Sequence, residues 1–155
     1  MSVALKSIFN PMKNNIIKTK PLPLFIPRII VGLIFLSEGI QKFITPETVG
    51  SGRFAKIGFQ HPVFWASTVG IAEIICAVLL LIGFLSRLVS VPLFIIMAAA
   101  FITTKIPIFK EKGFWSFAHE YRTDFALTLL LIMLFYYGSG NYSLDKYISN
   151  SSERK

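Results

Sequence analysis

Residues 62–85 read PVFWASTVGIAEIICAVLLLIGFL, 24 residues with one charged side chain, Glu73. As a helix this stretch reaches about 36 Å at 1.5 Å per residue, enough to cross a hydrocarbon core of about 30 Å. A buried helix of a soluble domain is usually shorter and keeps a polar face; this one has none. Its proline start suits a first helical turn, where a missing N–H costs nothing. The segment therefore predicts a membrane span, and the rest of the chain follows from it.

Three further apolar segments match it. The first runs from about Leu24 to Ile44, the third from Leu88 to Thr104 between Arg87 and Lys105, and the fourth from about Tyr121 to Tyr137. Pro107 is expected to close the third. Gly138-Ser139-Gly140 is expected to stop the fourth. The short Ser86-Arg87 connection forces the second and third spans to be antiparallel neighbours. The loops near 45–60 and 106–119 carry Phe54, Phe59, Phe109, Phe114, Trp115 and Phe117, which suit a membrane interface. The expected architecture is all-α, an integral membrane bundle of four transmembrane helices. It comprises a basic arm over 1–23, a membrane domain over 24–148 and a polar tail over 149–155.

Composition agrees. Of 155 residues, 54% are hydrophobic and 15% charged, against a charged fraction of about 25% in ordinary soluble domains. Mean hydropathy is +0.63. The formal charge is +8, but the basic residues are scattered between apolar runs, so no nucleic-acid partner is expected. The lone Cys76 excludes an intramolecular disulfide, a Cys-x-x-Cys pair or a cysteine metal site. Met1 to Lys20 is basic, with no apolar stretch and cleavage site following, so a secretory signal peptide is not expected. The lipid bilayer is the expected partner of that arm. With the N-terminus inside, nine Lys and Arg lie on inner segments and seven on outer ones, which places both termini in the cytoplasm.

The ionisable residues inside the spans carry the functional signal, because a charge at mid-helix costs about 2.5–3.5 kcal/mol on insertion scales. Glu38 and Lys42 stand four apart, a spacing that suits a local pair. Glu73 sits near the middle of its span. Ala66, Gly70, Glu73 and Ala77 follow a 4-3-4 spacing, so Glu73 lies on a small-residue face that should pack closely against another helix. Lys105 closes the third span, and Glu120, Arg122 and Asp124 open the fourth. The fourth is too short to span unless that charged turn lies inside it. These seven residues fall in the outer half of the bundle or at its middle, the inner half carrying only Arg28 and Arg87 at its rim, and together they predict a polar pocket open to the outer face. Odd spans end outside in a lysine and even spans carry an acid, which suggests a duplication. His61 and His119 lie at outer span ends, so neither a haem nor a metal site is expected. No phosphate-binding loop or nucleophile elbow is present.

The residues Phe35-Leu36-Ser37-Glu38-Gly39-Ile40-Gln41-Lys42-Phe43 resemble the first-helix signature of the DoxX family. The similarity continues through Glu73, Gly83-Phe84-Leu85-Ser86-Arg87, Glu120 to Asp124, and Gly138 to Asp145, and extends over roughly Ile26 to Ile148. The resemblance implies a four-helix bacterial inner-membrane protein. Some relatives are a small subunit of a thiosulfate:quinone oxidoreductase, and others belong to membrane redox or thiol-stress complexes. The expected role is thus a non-catalytic accessory subunit of a quinone-linked or thiol/sulfur-related redox complex. No cofactor is intrinsic, quinone is the candidate ligand, and a soluble or membrane redox subunit is the expected partner. Two alternatives stand beside it: a small-molecule or proton-coupled transporter, which would need a homodimer to build a gate, and a structural membrane scaffold without turnover.

Overall fold

The computed structural model describes residues 24–140 and 142–152. The basic arm expected over 1–23 and the last three residues of the tail lie outside the described residues. The described chain is helical, without strands: α1 (Phe25–Ile44), α2 (Ser51–Lys56), α3 (Pro62–Ile82), α4 (Ser86–Ala100), a π-helical turn (Phe101–Lys105), α5 (Ile106–Tyr137) and α6 (Leu144–Ser152).

The second half departs from expectation. Pro107 does not end the helix, and residues 106–119 are not a loop. A proline has no N–H for the carbonyl four residues back, and its ring crowds that carbonyl. Here the helix widens just before it. The Ile106 N–H donates to the Phe101 carbonyl, five residues back, and the helix continues. The turn falls instead at Gly113, whose φ of 79° and ψ of 179° suit glycine alone. Gly113 folds α5 into arms 106–112 and 114–137. The arms are antiparallel, because rings from before and after Gly113 meet at two levels: Phe109 and Phe117 at 5.5 Å, and, farther from the bend, Phe101 and Tyr121 at 5.0 Å. The final arm is therefore about 36 Å long and contains the charged turn 120–124. Beyond Gly140 a further helix, α6, runs on to Ser152.

Four long arms result. Round the bundle, α1 packs on α3, α3 on α4, α4 on α5, and α5 back on α1. The α3–α4 turn is tight, with Gly83 and Leu85 both left-handed. The core lies between Val31 and Phe35 of α1, Ala77 and Leu80 of α3, Leu93 of α4, and Leu127, Leu131 and Leu134 of α5. The outside is equally apolar: Ile30, Leu33, Phe64, Ile71, Ile75, Phe94, Ile95, Phe125, Leu129 and Phe135 are all exposed. In water such a surface would aggregate; in a bilayer it faces its solvent. Two helical stretches are long and apolar enough to cross a membrane, Pro62–Ile82 and Ser86–Tyr137, the second folded at Gly113.

The α1–α3 contact is the closest, as the small-residue face of α3 predicts. A Cβ on Gly39 would lie 2.9 Å from the Gly70 carbonyl oxygen and 3.2 Å from the Glu73 Cβ. The helices can approach only because both positions lack a side chain. Gly39→Ala is expected to destabilise the fold by about 1–3 kcal/mol, the range for overpacking. Unfolding by dodecyl sulfate in mixed micelles, followed by circular dichroism, measures it. An unchanged midpoint would contradict this contact.

Candidate functional site

Side chains on a helix tilt toward its N-terminus. In an antiparallel pair, a residue near the end of the first helix and one deeper on the second therefore lean toward each other. Lys42, near the end of α1, leans back; Glu73, halfway along α3, leans up to meet it. The Lys42 Nζ lies 2.5 Å from Glu73 Oε2, with both side chains less than a tenth exposed. The expected local pair with Glu38 does not form. Lys42 touches only the Glu38 carbonyl, at 3.4 Å, and the half-buried Glu38 carboxylate stands within electrostatic reach of Glu73.

The second hairpin repeats this arrangement. Lys105, at the end of the π turn, leans back; Asp124, on the returning arm, leans toward it. Their charged atoms are 3.2 Å apart. Lys105 Nζ also donates to the Glu120 carbonyl at 2.8 Å, with Glu120 Oε2 at 4.0 Å. The π turn sets this up by shifting the phase of the helix, so that Lys105 is buried between the arms. Such turns often mark functional positions. The lysine-and-acid alternation along the sequence is thus realised as two ion pairs, one per hairpin.

The pairs differ in access. Asp124 is a quarter exposed and Glu120 more than half, whereas Glu73 is sealed. Arg122 stands apart from the other six residues: it is exposed and makes no hydrogen bond or ion pair among the described residues. Two cavities occur elsewhere, and neither takes in any of the seven.

Arg53 and Thr104 belong to the site and escaped sequence reading. Arg53, on α2, donates to Thr104 Oγ1 at 3.2 Å and stands within electrostatic reach of Glu73. It therefore links the two hairpins. Its placement rests on Gly50 and Gly52, where a Cβ would strike the backbone of residues 42–47. The Gly50-Ser51-Gly52 triplet was the available signal. His61 and His119 are exposed. Among the described residues, no cluster of three His, Cys, Asp or Glu is placed to hold a metal ion.

Arg28, expected at the rim, is buried instead. It is 2% exposed, and Nη1 donates to the carbonyls of Ser139 at 2.6 Å and Tyr142 at 2.8 Å, while Nη2 reaches Leu81 at 3.3 Å. Asp145 completes this end. It accepts from the Leu85 N–H at 3.0 Å and from Ser139 Oγ. One end of the bundle is thus polar through paired lysines, and the other is tied by one arginine.

Comparison with known proteins places the chain among membrane proteins. No solved structure matches the chain. An uncharacterized membrane protein of Mycobacterium tuberculosis is 44% identical over 128 residues, 79% of this chain and 78% of its own length. The DoxX family model matches residues 23–106, which takes in Glu38, Lys42, Glu73 and Lys105 but stops short of Glu120 to Asp124, where the sequence resemblance had run on. On these matches the chain belongs to the DoxX family of membrane proteins.

Proposed function

We propose that this chain is a multi-pass inner-membrane protein in which all four arms cross the bilayer and both termini face the cytoplasm. In this reading it serves as the accessory subunit of a quinone-linked redox complex. The observation that carries the proposal is the Lys105–Asp124–Glu120 cluster, one ammonium and two carboxylates of graded exposure inside an apolar hairpin. The chemistry of this donor set fits a quinone head group, whose reduction calls for a cation near the developing oxyanion and a carboxylate that carries protons. Lys105 and Asp124, with Glu120 beside them, would hold the head group. When bound, a quinone would supply two-electron, two-proton carrier chemistry. Lys105 sets a positive charge where the dielectric is low. Glu120, at the exposed edge, exchanges protons with water, and Asp124 passes them inward. Electrons come from a separate redox subunit.

Purification of the full chain from native membranes in mild detergent, followed by solvent extraction and mass spectrometry, tests this. Quinone is expected to co-purify with the wild type, and Asp124→Asn is expected to retain at least about tenfold less. Absence of quinone and of a redox partner would overturn the proposal. So would equal quinone in the variant.

A second reading has an observation of its own. Both lysines are already satisfied by carboxylates, and both pairs join neighbouring helices. A scaffold whose charges only lock the bundle predicts that Asp124→Asn lowers the unfolding midpoint without changing what co-purifies.

A further inference from the structure

The Arg28 end carries a feature that neither ion pair uses. A cavity of about 530 Å³ opens where α4 begins, lined among others by Ser86, Arg87, Gly138, Asp145 and Lys146. Ser86 is fully buried, yet its hydroxyl has no hydrogen-bond partner. A buried hydroxyl without a partner costs roughly 1–3 kcal/mol, so such groups are rare without a reason. The first-turn amides of α4 add to this. Leu85 provides no side-chain cap, and the N–H groups of Ser86, Arg87 and Leu88 have no carbonyl within the helix. Oriented amides at a helix start favour an anion.

Arg87 stands at the wall. A Cβ on Gly138 would lie 3.0 Å from its Nε, so the arginine side chain rests in the space this glycine leaves. It makes no hydrogen bond or ion pair among the described residues. Asp145 is the opposing charge, but both of its oxygens are engaged, by the Leu85 N–H and the Ser139 hydroxyl. The cavity therefore combines donors and a cation around a carboxylate that already has its partners. That chemistry suits a phosphate group.

The apolar surface next to it identifies which phosphate. A groove of about 330 Å³ runs between α4 and the last arm of α5, walled by Val91, Phe94, Ile95, Ile132, Phe135 and Tyr136. Its residues follow directly on those of the cavity: Ser90 and Val91 lie one turn beyond Arg87, and Tyr136 precedes Tyr137. A free phosphate has no use for such a groove; a lipid with an acyl chain does. We propose that this end binds one anionic glycerophospholipid. Its phosphate sits at Ser86, Arg87 and the start of α4, and one acyl chain lies in the α4–α5 groove. The cation of a zwitterionic head group would be set against Arg87, so the site selects for net negative charge.

The full chain, delipidated in a neutral detergent, can be titrated with short-chain phosphatidylglycerol, with phosphatidylcholine of the same chains, and with inorganic phosphate. Binding is read by calorimetry. Phosphatidylglycerol is expected to bind about tenfold more tightly than phosphatidylcholine, and Arg87→Gln to weaken it about tenfold. Val91→Trp, which fills the groove, is expected to weaken the lipid by a similar factor and leave inorganic phosphate unchanged. Arg87 and Val91 are both exposed, so the variants should fold, and circular dichroism checks that they do. Equal binding of the two lipids would overturn the proposal. So would phosphatidylglycerol binding unaffected by either substitution, or inorganic phosphate binding as tightly as the lipid.

Discussion

Lys42→Met is expected to destabilise the bundle by about 3–5 kcal/mol, the range for breaking a buried ion pair from one side. Glu73 is sealed halfway along α3 and cannot reach water, so removing Lys42 leaves it uncompensated. It must then take up a proton or pull the helices apart. Glu73→Met is expected to cost less. Lys42 is near the end of α1, and once released from Glu73 its long side chain can swing out to the surface. The double variant Lys42→Met/Glu73→Met should recover most of the loss, because two apolar side chains of similar size replace both charges together. Dodecyl sulfate unfolding of the four proteins in mixed micelles closes the cycle, with a coupling energy of about 2 kcal/mol or more expected. Equal losses in the two single variants, with additive behaviour in the double, would mean that the pair does not hold α1 to α3.

Glu73's inward aim was legible because burial and helical period both speak to it: the 4-3-4 row of small residues could face only another helix. Its partner was not legible. The sequence offered Lys42 a carboxylate at i−4, and only the antiparallel contact at Gly39 and Gly70 brings a better one from across the interface. Chain order does not encode that depth. The second hairpin differs in a similar way. Proline normally ends a helix, and one sequence has no mark that separates a stop from a widened turn. What betrayed the true arrangement was length. A fourth span starting at Tyr121 was too short unless its charged turn lay inside, and the arm from 114 places it there. Arg28 was misread because an arginine one turn from a helix start ordinarily reaches the head groups. Here the glycine-bounded exit after α5 folds over it and supplies carbonyls instead.

Arg28→Met is the companion test at the opposite end. The guanidinium gathers three carbonyls, those of Ser139 and Tyr142 after α5 and that of Leu81 near the end of α3. A hydrogen bond from a charged donor contributes about 1.5–3 kcal/mol, and these three share one side chain, so they will not add fully. A loss of about 3 kcal/mol or more is expected. Methionine keeps the apolar bulk, so the loss reports the missing donors and not a cavity. Arg28→Lys should recover only part of it, because one ammonium lacks the planar fork that serves carbonyls on two sides. The effect should also be local. Hydrogen exchange at residues 138–147 is expected to accelerate, since Asp145 loses the cation that faces it and the exit segment loses its tether to α1. Exchange around Lys42 and Glu73 should stay as in the wild type, because that end is held by its own ion pairs. If both ends loosened together, the bundle would be one cooperative unit, and the separate roles assigned to Arg28 and to the paired lysines would not stand.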